Sequence, residues 1–308
     1  MLPCMTILDG GMGRELHRIG APFRQPEWSA LALIKGPDFV KKAHRSFIEA
    51  GAHVITANNY AVVPYHIGEE RFRTHGKDLI QLAGQLARDA IAEARKPSVR
   101  LAGSLPPVCG SYRPDLFQKH YAETILATLK DNLSPFVDLW LAETQSSIVE
   151  ARIARRIIGF NDPRPFWLSF TLDDTHLETT RNETYPLRLR SGEVLHEAIK
   201  AALELRIDAL LFNCSDPAVM LPALQEAQKV FAKFTGPHKP QLGVYANAFD
   251  HNHEKHDEAN EVISALDTSL TTTRYRKLAQ EWQKAGATII GGCCGIGPDY
   301  IKELSHNL

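Results

Sequence analysis

Residues 288–295 read Thr288-Ile289-Ile290-Gly291-Gly292-Cys293-Cys294-Gly295, a β-branched apolar run that stops at glycines and two adjacent cysteines. Short runs rich in Val, Ile and Leu are the mark of strands buried on both faces of a parallel sheet. This one is the eighth of its kind. Working back along the chain, the others are Thr6 to Asp9, Val54 to Asn58, Val99 to Ser104, Asp138 to Thr144, Phe166 to Leu172, Ala209 to Cys214 and Leu242 to Ala246. Between them lie segments with helical spacing: Pro37 to Ala50, His75 to Ala94, Phe117 to Asn132, Ser146 to Ile158, Gly192 to Leu205, Pro217 to Phe231 and Ser269 to Ala285. A last short helix is expected after Pro298. Eight strand–helix units without a break in composition predict an α/β fold, a single (β/α)8 TIM-type barrel spanning residues 1–308 as one domain.

The 308 residues carry 35 Lys+Arg against 36 Asp+Glu, so no net basic field draws the chain to nucleic acid or an anionic membrane. No apolar run reaches the roughly 18 residues that a spanning helix needs, and the opening MLPCMTILDG lacks the basic start of a secretory signal. The expected compartment is the cytoplasm. Five cysteines, an odd number in a large chain, point to metal or thiol chemistry rather than a disulfide framework. Long loops are expected after several strands, at Asn59 to Thr74, Leu105 to Leu116, Asp173 to Ser191 and Asn247 to Asp267, on the rim where a barrel builds its site.

Candidate chemistry collects at strand ends. Cys293 and Cys294 can reach one ion only if the backbone leaves the strand there, since neighbouring strand residues face opposite ways, and the flanking glycines permit that departure. Two buried small residues at a tight turn, or a vicinal disulfide, are the other readings. Cys214 ends the sixth strand on the same rim, so three thiolates could converge on one soft or borderline cation, with zinc the best match and a fourth position left open. Cys4 and Cys109 are read as ordinary packing residues. Asp9, in Asp9-Gly10-Gly11, is either a helix cap or a rim carboxylate for a substrate ammonium, with the Gly10 and Gly11 amides free for its carboxylate. Glu143 is open to the same two readings, as a first-turn helix carboxylate or a ligand. The glycines of residues 10–13 do not fit a dinucleotide or Walker A spacing. The run Asp250 to Asp257, rich in His and acid, lacks the i, i+4 histidine pair of a zinc helix and is read as a solvated loop. No catalytic acid, base or nucleophile is assigned.

Together, Asp9-Gly10-Gly11, Thr56-Ala57-Asn58, Glu143-Thr144, Asn213-Cys214 and Gly291-Gly292-Cys293-Cys294-Gly295 resemble the homocysteine S-methyltransferase family nearly end to end. The most specific part is the single cysteine followed about eighty residues later by the glycine-flanked pair. The resemblance implies a (β/α)8 barrel, with Cys214, Cys293 and Cys294 holding Zn2+ and with Asp9, Gly10, Gly11 and Glu143 holding the amino-acid end of homocysteine. It implies methyl transfer from a small donor to the homocysteine thiolate, giving methionine. The chain stops soon after the last expected helix, which argues against folate and cobalamin domains. Thr144, where betaine-type members carry tyrosine, favours a sulfonium donor, S-methylmethionine or else S-adenosylmethionine. Tyr60, Tyr112 and Tyr245 are candidates to face its charge, and residues 103–115 are the candidate lid over it. A betaine-type enzyme, another thiol or selenol acceptor, a zinc lyase or hydrolase, and a non-catalytic zinc or thiol sensor are the alternatives. The sequence does not set the oligomeric state.

Overall fold

The computed structural model describes residues 5–175, 186–236, 238–249 and 265–308. Cys4 and the Asp250 to Asp257 run lie outside them. Eight parallel strands, β1 (Thr6–Ile7), β2 (Val54–Thr56), β3 (Arg100–Leu105), β4 (Leu139–Gln145), β5 (Phe166–Phe170), β6 (Ala209–Asn213), β7 (Gln241–Ala246) and β8 (Ile289–Gly292), pair in chain order, and β8 pairs with β1. A parallel bridge from Leu8 to Val54 closes the ring, so the predicted (β/α)8 barrel is what forms. Between the strands run α1 (Met12–Arg18), α2 (Ala30–Lys35), α3 (Pro37–Glu49), α4 (Pro64–Ile67), α5 (Glu69–Glu93), α6 (Lys119–Leu133), α7 (Ile148–Ile158), α8 (Leu195–Glu204), α9 (Pro217–Ala232), α10 (Thr272–Lys284) and α11 (Pro298–Asn307). No described helix is long and apolar enough to cross a membrane.

The period-two alternation of a strand divides the core into two layers. Leu8, Leu139, Leu141, Trp167, Ala209, Leu211 and Ile289 pack together as a cluster of their own inside the barrel. Their neighbours Ile7, Trp140, Ala142, Phe166, Leu168, Leu210 and Phe212 pack outward against the helices. The same parity carries upward: Glu143 follows Leu141, Asn213 follows Leu211 and Ser169 follows Trp167 on the inward face. Apolar residues fill the barrel below, and the next inward layer is polar. The barrel interior thus becomes a site at its carboxyl-terminal mouth.

Two expectations shift. Helix α5 begins at Glu69, not at His75, which removes the second half of the loop expected at Asn59 to Thr74. Strands β6 and β8 end one residue before the cysteines, at Asn213 and Gly292, so all three thiols belong to the turns that follow.

Candidate active site

The mouth holds a cavity of about 1270 Å3, counting its opening, whose wall includes Asp9, Glu143, Cys214, Cys293 and Cys294. The three cysteine sulfurs lie within 4.8 Å of one another. Local backbone geometry delivers them. Cys214 adopts φ +51°, a left-handed conformation costly for a residue with a Cβ, and this turns its thiol off the strand. Beyond β8 the chain turns on itself, with Ile296 N donating to Cys293 O at 3.1 Å, which brings two consecutive sulfurs to the same side.

Gly10 and Gly11 explain themselves here. A Cβ on Gly10 would collide with the carbonyl of Ile296, and one on Gly11 would come within 2.6 Å of the carbonyl of Cys293. The end of β1 therefore packs backbone to backbone on the cysteine turn. The Gly11 amide is spent on that packing, donating to Ile296 O at 2.9 Å. This corrects the expectation that both amides are free, because the turn that presents the thiols needs the Gly11 donor.

Asp9 and Glu143 line the same cavity, 8% and 9% exposed. Asp9 Oδ2 accepts from Thr56 N at 2.7 Å and Glu143 Oε1 accepts from Ser104 Oγ at 2.5 Å. Neither alternative reading survives: α1 is capped at Gly11, not Asp9, and Glu143 lies within β4, ahead of the helix that starts at Ile148. Neither carboxylate is ion-paired with a described basic residue. Burial, reinforced by the Glu143 charge, pushes Asp9 up to about 8, against the Thr56 amide that pulls it down. Burial also pushes Glu143 up to about 7, opposed by Ser104 and aided by the Cys214 sulfur. Two acids that protonate for want of a counter-charge form a receptor for a cationic group.

The thiols show the same deficit. Hydrogen bonds from Cys214 and Cys293, with Arg14 nearby, hold Cys294 well below the ordinary thiol range. Hydrogen bonds to Cys214 and Cys294, with burial, hold Cys293 well above it. Three adjacent thiolates repel one another without a cation. All are free thiols, so the vicinal disulfide does not form. The donor set suits a tetrahedral metal, whose sulfur ligands at about 2.3 Å stand roughly 3.8 Å apart.

Asn213, next to Cys214, holds the backbone that follows Glu143. Its Oδ1 accepts from Thr144 N at 3.0 Å and from Ser169 Oγ at 2.7 Å, while Nδ2 donates to Thr144 Oγ1 at 2.9 Å. These bonds stabilise Thr144 at φ +58°, where β4 slips register against β5. Tyr60, Tyr112 and Tyr245 all line the cavity, with Tyr60 Oη 2.7 Å from Ser111 Oγ. One face of Tyr112 is covered by the Arg190 guanidinium, 4.2 Å from the ring centre. That face is closed to a cationic donor. Cys109 is buried and outside the cavity wall. Ser104, expected at the start of the lid, lies instead in β3 as the partner of Glu143, and Arg14 and Arg190 carry no spacing signal in the sequence.

A barrel whose mouth joins three thiols to two unpaired acids defines a class of enzyme that handles a sulfur substrate bearing a cationic end. The sequence profile of the homocysteine S-methyltransferase family matches residues 6–308. Homocysteine S-methyltransferase 1 of Arabidopsis thaliana is 27% identical over 98% of this chain and 93% of its own length. Homocysteine S-methyltransferase 4 of Zea mays is 26% identical over 98% and 88%. The metallated form of the Escherichia coli homocysteine methyltransferase MmuM superposes with a TM-score of 0.76 at 23% identity, covering 99% of this chain and 96% of that one. The chain belongs to the homocysteine S-methyltransferase family, and is by that membership a methyltransferase.

Proposed function

We propose that this protein transfers a methyl group from a sulfonium donor, S-methylmethionine before S-adenosylmethionine, to homocysteine, giving methionine, with Zn2+ held by Cys214, Cys293 and Cys294. The observation that carries the reading is one cavity lined by three thiols within 4.8 Å of one another and by two buried acids lacking an ion-pair partner. Zinc bound there would supply the Lewis acidity that keeps a thiol near pKa 8.5 deprotonated at neutral pH.

The chain's own residues do the rest. Asp9 and Glu143 bind the homocysteine ammonium, and Thr56 and Ser104 keep those carboxylates aimed. The Gly10 amide takes the carboxylate, while the Gly11 amide holds the cysteine turn. Fixing the amino-acid end aims the sulfur along the line of displacement, so the transfer needs alignment and exclusion of water more than a general base. The sulfur end and the cavity-lining rings of Tyr60 and Tyr245 suit a cationic donor. Free thiols at the site are at home in the reducing cytoplasm. Residues 1–308 are taken as one homocysteine-binding domain. No feature calls for nucleic acid or membrane.

The test is mass spectrometry of methionine formed from homocysteine and methyl-labelled S-methylmethionine. Label should appear in methionine with zinc-replete protein and vanish in Cys214→Ser. Unlabelled methionine pools alone, with protein that has bound zinc, would refute the sulfonium donor.

A further inference from the structure

The last rung between β7 and β8, where Ala246 pairs with Gly292, is clasped by a side chain from α10. Tyr275 is fully buried, and its Oη accepts from Ala246 N at 3.2 Å and donates to Gly291 O at 2.7 Å. One hydroxyl thus bonds both strands. Just past this rung, Cys293 N donates to Ala246 O at 2.9 Å and Ala248 N donates to Cys294 O at 2.8 Å. The backbone of both cysteines therefore hangs on β7 and the residues that follow it, and the clasp closes the rung that leads into them.

Burying a tyrosine where phenylalanine would fill the same space costs the desolvation of its hydroxyl unless partners replace the lost water. Here the partners are main-chain groups of two different strands. The ring is braced in turn: Trp282 and Tyr300 meet it edge-on, with ring centres 5.4 and 5.8 Å away, and Tyr300 Oη donates to Leu270 O at 2.5 Å. Tyr300 belongs to α11, so Tyr275 touches both β8, which enters the cysteine turn, and the helix that leaves it. Strand β8 also lies close on β1, since a Cβ on Gly291 would come within 2.4 Å of Leu8 Cβ. A main-chain position that fixes metal ligands is set by such outer partners, whose loss commonly weakens metal binding by about 10- to 100-fold.

We propose that Tyr275 is a positioning residue that sets β8 against β7 at their last rung and so places Cys293 and Cys294 at the spacing a metal ion needs. The inference rests on the metal-site reading above. Its test uses Tyr275→Phe, which keeps the ring and removes the clasp, beside Thr271→Ala, which removes the cap of the same helix and leaves the clasp in place. The zinc Kd is measured by competition with a chromophoric chelator, and melting is followed with and without zinc. Tyr275→Phe should bind zinc about 10- to 100-fold more weakly and gain less in Tm from zinc than the unaltered protein. Thr271→Ala should melt earlier, yet keep the zinc Kd and the full gain in Tm. Trp282→Phe, which keeps the hydroxyl and loosens its brace, should fall between and serves if Tyr275→Phe does not fold. An unchanged zinc Kd in Tyr275→Phe, or an equal weakening in Thr271→Ala, would overturn this inference alone. Absence of a thiolate absorption band when Co2+ is titrated into the metal-free, unaltered protein would overturn the metal reading itself.

Discussion

The sulfur end of the cavity and its carboxylate end differ in how the chain delivers them. Cys214 leaves its strand in a left-handed conformation and Cys293 and Cys294 sit in a glycine-bounded turn, whereas Glu143 follows the inward face of β4 directly above the packed barrel. The sulfurs answer to one another; each acid answers to a neighbour's N–H or O–H. Yet neither end has an ion pair to each of its acidic groups: Arg14 stands beside Cys294, and no described base pairs with Asp9 or Glu143. At the sulfur end three donors within 4.8 Å of one another, with Arg14 beside Cys294, have the spacing that suits a metal, while the two acids at the other end suit a substrate ammonium. The two deficits are separable, and experiments can pull them apart.

The strongest break should come at the sulfur end. Cys293→Ser is expected to lower the rate of methyl transfer by about a thousandfold or more, measured as methionine formed per minute, with zinc content falling in parallel. Loss at the other end should be milder and should spare the metal. Glu143→Gln removes one charge-assisted contact, so kcat/KM for homocysteine should drop by about 30- to 100-fold in steady-state assays.

Next comes a proton count. An ammonium pairs with the ionised acid, so methionine, which has no thiol to ionise, should release protons on binding near pH 7 and bind more tightly as pH rises toward 8. Calorimetry in buffers of different ionisation enthalpy reads this, and Asp9→Asn should shrink the release. The sign for stability is opposite. The native state keeps on Asp9 a proton that the unfolded chain gives up, so between 3.8 and about 8 this group costs the ligand-free protein stability as pH rises. The smallest effect belongs outside both ends. Thr271 caps α10 through Arg274 N at 3.2 Å, and Thr271→Ala should cost about 1 kcal/mol in denaturant melts with activity unchanged.

The barrel was legible because its strands are buried on both sides and therefore read as plain apolar runs. The start of α5 was not, since Glu69 to Thr74 offers only Phe72 as an apolar residue. Helix α2, Ala30–Lys35, has five apolar residues before Lys35 and is too short to show a period. At the site, the cysteine spacing and glycine flanks placed the sulfurs, and Asp9 and Glu143 stood out at strand ends. What holds them did not. Ser104 meets Glu143 across 39 residues and Arg190 meets Tyr112 across a longer gap, contacts that only the barrel's closure creates. Gly11 was legible as a special position but not for its reason, which is the approach of Cys293.

The most direct test crosses the two ends in one experiment. Zinc is titrated by calorimetry into metal-free wild-type protein, Cys214→Ser and Glu143→Gln, and homocysteine is then added to each. The account predicts one zinc per chain in wild type and Glu143→Gln, little or none in Cys214→Ser, and homocysteine binding weakened in Glu143→Gln with its zinc intact. Full zinc binding in Cys214→Ser, or zinc lost together with homocysteine in Glu143→Gln, would contradict it.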